Sequence, residues 1–115
     1  MLSPAPTARI WLCTRPTDMR KSFDTLAALV RQELARDPLS GDLFVFVGRR
    51  ADRLKILYWD RDGLALWAKR LERGTFRPPA AAGGSLGLSP AELAMLLEGI
   101  ELAGARHRKR LILNI

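Results

Sequence analysis

The sequence predicts an α+β fold, a mostly antiparallel sheet of about four strands packed against two helices. Three observations carry this. Short apolar runs recur at Arg9 to Thr14 and at Leu43-Phe44-Val45-Phe46-Val47, with the bounds and residue types of strands. Asp62-Gly63 separates two further apolar runs, a strong short-range hairpin signal. Two other segments repeat their apolar residues at the helical period.

The elements follow in order. Residues 1–8 are rich in Pro and Ala and are expected to be loose, ahead of a single domain over 9–104. Arg9 to Thr14 forms the first strand, free to pair either way. Phe23, Leu26, Ala27, Val30 and Leu34 share one helical face, with Ser22 as N-cap and Asp24 favoured in the first turn. Asp37-Pro38 should end that helix, because the residue before proline leaves the α region. Leu43 to Val47 is apolar at every position, as in a central strand covered on both faces. Leu54 to Trp59 and Leu64 to Leu71 form the hairpin; Leu64, Trp67 and Leu71 also fit a helical stripe, so a helix there is the alternative. Residues 80–88 read as an Ala/Gly-rich linker. Ser89-Pro90-Ala91-Glu92 then opens a second helix with an N-cap, proline in the first turn and a capping box. Leu93, Leu96, Leu97 and Ile100 form its stripe, Gly104 ends it, and residues 105–115 are a basic tail containing Arg106 to Arg110.

The composition suits one ordinary domain. The 115 residues are 48% hydrophobic, enough for a core, and 27% charged. The net charge of +7 and pI near 10.7 favour polyanionic partners. Cys13 is the only cysteine, so no intrachain disulfide forms, in keeping with a cytoplasmic location. It sits in an apolar run and reads as a packed thiol. No stretch approaches the ~18 apolar residues of a membrane span, and the N-terminus lacks the pattern of a secretory signal, so no membrane partner is expected.

The residues give little support to catalysis. Asp18, Asp24, Asp37, Asp42 and Asp52 fall at caps or loops, and Asp60 and Asp62 in the hairpin turn, where Asp is expected for local reasons. Metal-assisted strand transfer would need carboxylates converging on cations. One cysteine and one histidine (His107) make no zinc site or Cys–His pair, and no phosphate loop is present. Ser22 and Ser89 are accounted for as caps. The chain is therefore read as a non-enzyme, with no cofactor and no metal.

The basic residues are more informative. Arg49, Arg50, Arg53 and Lys55 cluster at the loop entering the third strand, and Lys69, Arg70 and Arg73 at the end of the fourth. A two-residue turn at Asp62-Gly63 would set Lys55 opposite Arg70 and Arg53 opposite Glu72, with Trp59 and Leu66 on the same face. Opposed like charges are destabilising unless an anion such as phosphate lies between them. These seven residues are the candidate nucleic-acid-binding set. The plainer reading is a solvated sheet edge whose charges discourage aggregation. Trp11 and Trp67 read as core, and Trp59 as core rather than a base-stacking platform. Arg20-Lys21 would face the unfavourable positive end of a helix dipole, a weak hint of a ligand.

Several phrases resemble one family. They are Thr17 to Val30 (TDMRKSFDTLAALV), Leu43 to Phe46 (LFVF), Gly48 to Asp60 (GRRADRLKILYWD), Lys69 to Phe76 (KRLERGTF) and Leu93 to Ile100 (LAMLLEGI). In this order they resemble the TnpB accessory protein of the IS66 class of bacterial insertion sequences, over about residues 9–103. The RNA-guided nuclease of the same name belongs to a different transposon class, and its chemistry does not carry over. The resemblance implies a protein encoded beside a separate catalytic transposase, assisting transposition, with no established binding or catalytic residues to transfer. DNA and the element-encoded transposase are the expected partners. The rival to a DNA-binding role is an interaction module that binds the transposase with little DNA contact; a metal-dependent nuclease is the third reading.

Overall fold

The computed structural model describes residues 5–81 and 83–102. Gly104 and the tail 105–115 lie outside the described residues. The fold is α+β, with a five-stranded sheet in the order β4-β3-β2-β1-β5. In chain order the elements are β1 (Ile10–Cys13), α1 (Phe23–Gln32), β2 (Leu43–Val47), β3 (Arg53–Asp60), β4 (Gly63–Arg70), β5 (Ser85–Leu88) and α2 (Pro90–Leu97). β1 and β2 are parallel neighbours joined through α1, and the other three pairings are antiparallel. The fifth strand lies inside the stretch 80–88 expected as a linker. Leu86 and Leu88 share one face of it as β5 pairs with β1, and Gly87 lies opposite Trp11.

The sheet carries a core on each face. Leu26, Ala27, Val30 and Leu34, on or just beyond α1, pack on Cys13, Phe44, Phe46 and Leu57. On the opposite face Ile10, Leu12, Leu43, Val45, Val47, Leu54 and Ile56 meet Phe76, Leu93, Leu96 and Leu102. All five β2 residues are buried, because they alternate between two covered faces. Phe44 and Phe46 are fully buried, and each such side chain contributes about 1.5–3 kcal/mol of apolar transfer.

Local chemistry fixes the helix ends. Ser22 N–H donates to Thr25 Oγ1 at 2.9 Å. α1 stops at Gln32, earlier than the proline implied, and Ala35 takes a left-handed φ of 52°. Arg36 then lies with its guanidinium 3.2 Å from the Trp11 ring centre, while Trp11 Nε1 donates to Asp42. At α2, Glu92 N–H donates to Ser89 Oγ at 3.1 Å and Ser89 N–H to Glu92 Oε1 at 3.0 Å, a complete capping box. The helix ends at Gly99 rather than at Gly104. Gly99, at φ 77°, donates to Leu96 O while Ile100 donates to Met95 O, a Schellman stop that only a left-handed residue allows. Ile100 thereby leaves the stripe and is exposed. Ser89→Ala is expected to cost about 1 kcal/mol, read as a lower midpoint in urea unfolding with an unchanged slope. An unshifted midpoint would show that the cap contributes nothing.

The hairpin forms as a hairpin, but two residues out of the expected register. Arg53 faces Arg70, Lys55 faces Ala68 and Asp60 faces Gly63. The turn is Arg61-Asp62, not Asp62-Gly63. Arg61 takes the positive φ of 54°, and Asp62 N–H donates to Asp60 O within a three-residue turn. Gly63 becomes the first ladder residue. A shift of two preserves which face each side chain occupies, so Trp59 and Leu66 still share the face of Lys55.

Candidate nucleic-acid interface

The basic residues gather at one end of the sheet, where β2 leaves it, β3 enters and β4 finishes. Beside them runs the β1–α1 connection. Thr17 N–H donates to Val47 O at 2.9 Å and bridges to Gly48 in parallel fashion, so this connection extends the sheet past the end of β1. Gly48 N–H in turn donates to Arg53 O, and Ala51 N–H to Gly48 O, which closes the turn carrying Arg49 and Arg50. Between the connection and the turn lies an open cleft of about 510 Å³, with Asp18 and Met19 on one wall and Arg49, Arg50, Asp52 and Arg53 on the other. A shallower depression continues it past Met19 and Arg53 to Lys55 and Arg70.

The seven candidate cations divide into groups. Arg49, Arg50 and Arg53 are exposed, and among the described residues none has a side-chain partner. Arg70 is exposed beside Arg53 and makes a 3.3 Å ion pair with Glu72, the residue expected opposite Arg53. Lys55 is half-buried and its Nζ donates to Lys21 O at 2.7 Å. Lys69 points to the opposite face, as strand alternation requires, and donates to Leu97 O at the end of α2. Arg73 is exposed beyond β4 and lines neither depression. Lys55 and Lys69 thus tie the loop before α1 and the end of α2 to the hairpin.

The sequence marks Asp18 as a loop carboxylate and Arg20 as a weak ligand hint but does not pair them, and the structure does. Arg20 Nε and Nη2 clasp the Asp18 carboxylate at 2.8–3.2 Å, and Arg20 N–H donates to Asp18 Oδ1. These bonds hold the Asp18 carboxyl well below the usual carboxylate range, so it stays ionised and largely cancels Arg20. Arg20 therefore needs no ligand to explain it. The Thr17-Asp18-Met19-Arg20 phrase offered the signal, since an Asx-type turn binds its own backbone two residues on.

Trp59 is half-buried on the face of Lys55 and pairs with Leu64 at the turn end of the hairpin, far from the cleft. Among the described residues no group of three or more His, Cys, Asp or Glu side chains could hold a metal. No described helix is long and apolar enough to cross a membrane.

Fold and surface together define a small basic α+β protein with an arginine-lined cleft at one sheet end. The chain belongs to the IS66 Orf2 like protein family, which it matches over residues 8–107, and so to a family associated with insertion sequences. It is 46% identical over 101 residues to the uncharacterized protein y4hO of Sinorhizobium fredii, covering 88% of each chain. To the uncharacterized protein y4jC of the same organism it is 42% identical over 108 residues, covering 94% of this chain and 92% of the relative. No solved structure matches it.

Proposed function

We propose that this protein is a non-catalytic accessory factor of insertion-sequence transposition that binds duplex DNA through the arginine-lined cleft and helps seat the transposase on the element ends. The observation that carries this reading is the meeting of Arg53 with Arg70 across the β3–β4 ladder, next to Arg49 and Arg50. Opposed like charges destabilise a free protein. Among the described residues only Arg70 of these four has a carboxylate partner, and a phosphate in the cleft would relieve the others. An ordinary solvated edge would not need its cations concentrated at one end around a concave surface.

The rival, a transposase-binding module without DNA contact, would be favoured by a contiguous exposed apolar patch. Among the described residues the large exposed apolar side chains are Phe23 in the first turn of α1, Leu39 in the α1–β2 connection and Ile100 after α2. They belong to separate parts of the fold.

Titration of a labelled duplex with the full chain tests the proposal. Binding is expected at 50 mM salt, and log affinity should fall with log salt at a slope between about −2 and −4, for two to four neutralised phosphates. Unrelated sequences should bind alike, because backbone contacts carry no base information. The same mixtures with magnesium should show intact DNA. No binding at 50 mM salt would transfer the assignment to the transposase-binding module, and metal-dependent cleavage removed by one Asp→Ala change would revive the nuclease.

A further inference from the structure

The two edges of the sheet are unequal. β5 is blunted by its length of four residues and by Gly87. β4 is eight residues long, contains no proline, and among the described residues pairs with β3 alone. Long unprotected edges are templates for another strand. The hydrogen-bond parity of the hairpin shows which groups this edge offers. Leu71 N–H donates to Asp52 O, so residues 63, 65, 67 and 69 point their backbone groups inward to β3. Leu64, Leu66, Ala68 and Arg70 then present N–H and C=O outward.

The strand is also electrically polar along its length. Its start adjoins the turn Asp60-Arg61-Asp62, which carries a net negative charge, and its end carries Lys69 and Arg70 beside Arg53. Between the ends lie Leu64, Ala65, Leu66, Trp67 and Ala68, with no charge. A second copy laid antiparallel about a two-fold axis at Leu66 matches this pattern throughout. Leu66 meets Leu66, Leu64 meets Ala68 twice, and each Arg70 comes to the acidic turn of the other copy at Asp62. Only even-numbered residues form the new hydrogen-bonded pairs, as the outward groups require. The same contact places a second carboxylate beside Arg70, which in the single chain faces Arg53 and pairs with Glu72.

We propose that the protein forms a two-fold dimer by antiparallel β4–β4 pairing, joining two five-stranded sheets into one of ten strands. The proposal stands apart from the DNA-binding reading, and its test contains no DNA. Asp62 and Arg70 lie about 27 Å apart in one chain, at ~3.4 Å per strand residue, well beyond the ~10 Å screening length at 0.1 M salt. Any coupling between them must therefore pass through the partner copy.

Sedimentation equilibrium of the full chain, freed of nucleic acid, is expected to show a reversible dimer at micromolar concentrations. Arg70→Asp and Asp62→Arg should each weaken it by about tenfold or more, since two attractive contacts become repulsive. The double reversal Asp62→Arg/Arg70→Asp should restore it. Ala68→Pro removes an outward N–H at an exposed edge position without touching the β3 ladder, and should yield monomer with an unchanged circular dichroism spectrum. If Ala68→Pro fails to fold, the charge-reversal series decides alone. A wild-type chain monomeric at 100 µM, a dimer indifferent to these changes, or a double reversal that fails to rescue would each overturn the proposal.

Discussion

Replacing Arg49, Arg50 and Arg53 together by glutamine is expected to weaken duplex binding at least about tenfold at 50 mM salt. It should flatten the salt slope by between about 1 and 3, according to how many of the three reach phosphates. Fold stability should hold, because the three side chains are exposed and none has a partner among the described residues. Lys55→Gln and Lys69→Gln should behave in the opposite way. Each removes a hydrogen bond to a main-chain carbonyl, at Lys21 and at Leu97, so each should lower the urea midpoint while leaving the salt slope near wild type. The loss should be uniform across unrelated sequences. A well-folded triple variant with wild-type affinity and slope would remove the cleft from consideration, and a lysine variant that lost the slope would move the interface to the hairpin.

The periodic parts of the fold were legible because one local rule governs each of them. Leu43 to Val47 read as a central strand from its unbroken apolar run, and it is buried at every position. Ser89-Pro90-Ala91-Glu92 read as a helix start from cap chemistry alone, and both reciprocal bonds form. What was not legible depended on partners distant in the chain. β5 is a strand because it pairs with the edge of β1, a partnership that no Ala/Gly-rich stretch shows by itself. The hairpin register turned on which residue accepts positive φ, and Arg61 does so in place of Gly63. In the candidate site, the linear cluster Lys69-Arg70 ignored strand alternation, which sends Lys69 to the other face. The gathering of Arg49, Arg50 and Arg53 around a concavity required Thr17 to be bridged to Gly48. That contact spans the whole crossover through α1, so no local pattern encodes it.

Gly48 is where fold and site meet, and Gly48→Ala is expected to destabilise the protein by about 1–3 kcal/mol, as overpacking does. Its φ is unexceptional, so the requirement for glycine is one of space. A Cβ there would stand 2.6 Å from Met19 Cγ, closer than side-chain carbons ever approach. Methionine is flexible, but its Cγ is placed by the first torsion alone, so the outer torsions cannot relieve this contact. Nor can the backbone easily yield. Gly48 N–H is bonded to Arg53 O, Gly48 O accepts from Ala51 N–H, and Thr17 N–H holds the facing segment to Val47 O. Met19 must therefore rotate off the wall it forms in both depressions, or the Thr17–Gly48 bridge must open. Rotation of Met19 reshapes the cleft wall, and opening of the bridge moves Asp18 and Arg20 relative to Arg49, Arg50 and Arg53, so weaker DNA binding should accompany the loss of stability. Met19→Ala removes the clashing atom and should recover much of both losses in the double variant. The cycle should show a coupling of about 1 kcal/mol or more in urea unfolding. Additive effects of the two substitutions would mean that Met19 is not what confines position 48, and that the cleft wall is set by contacts other than this one.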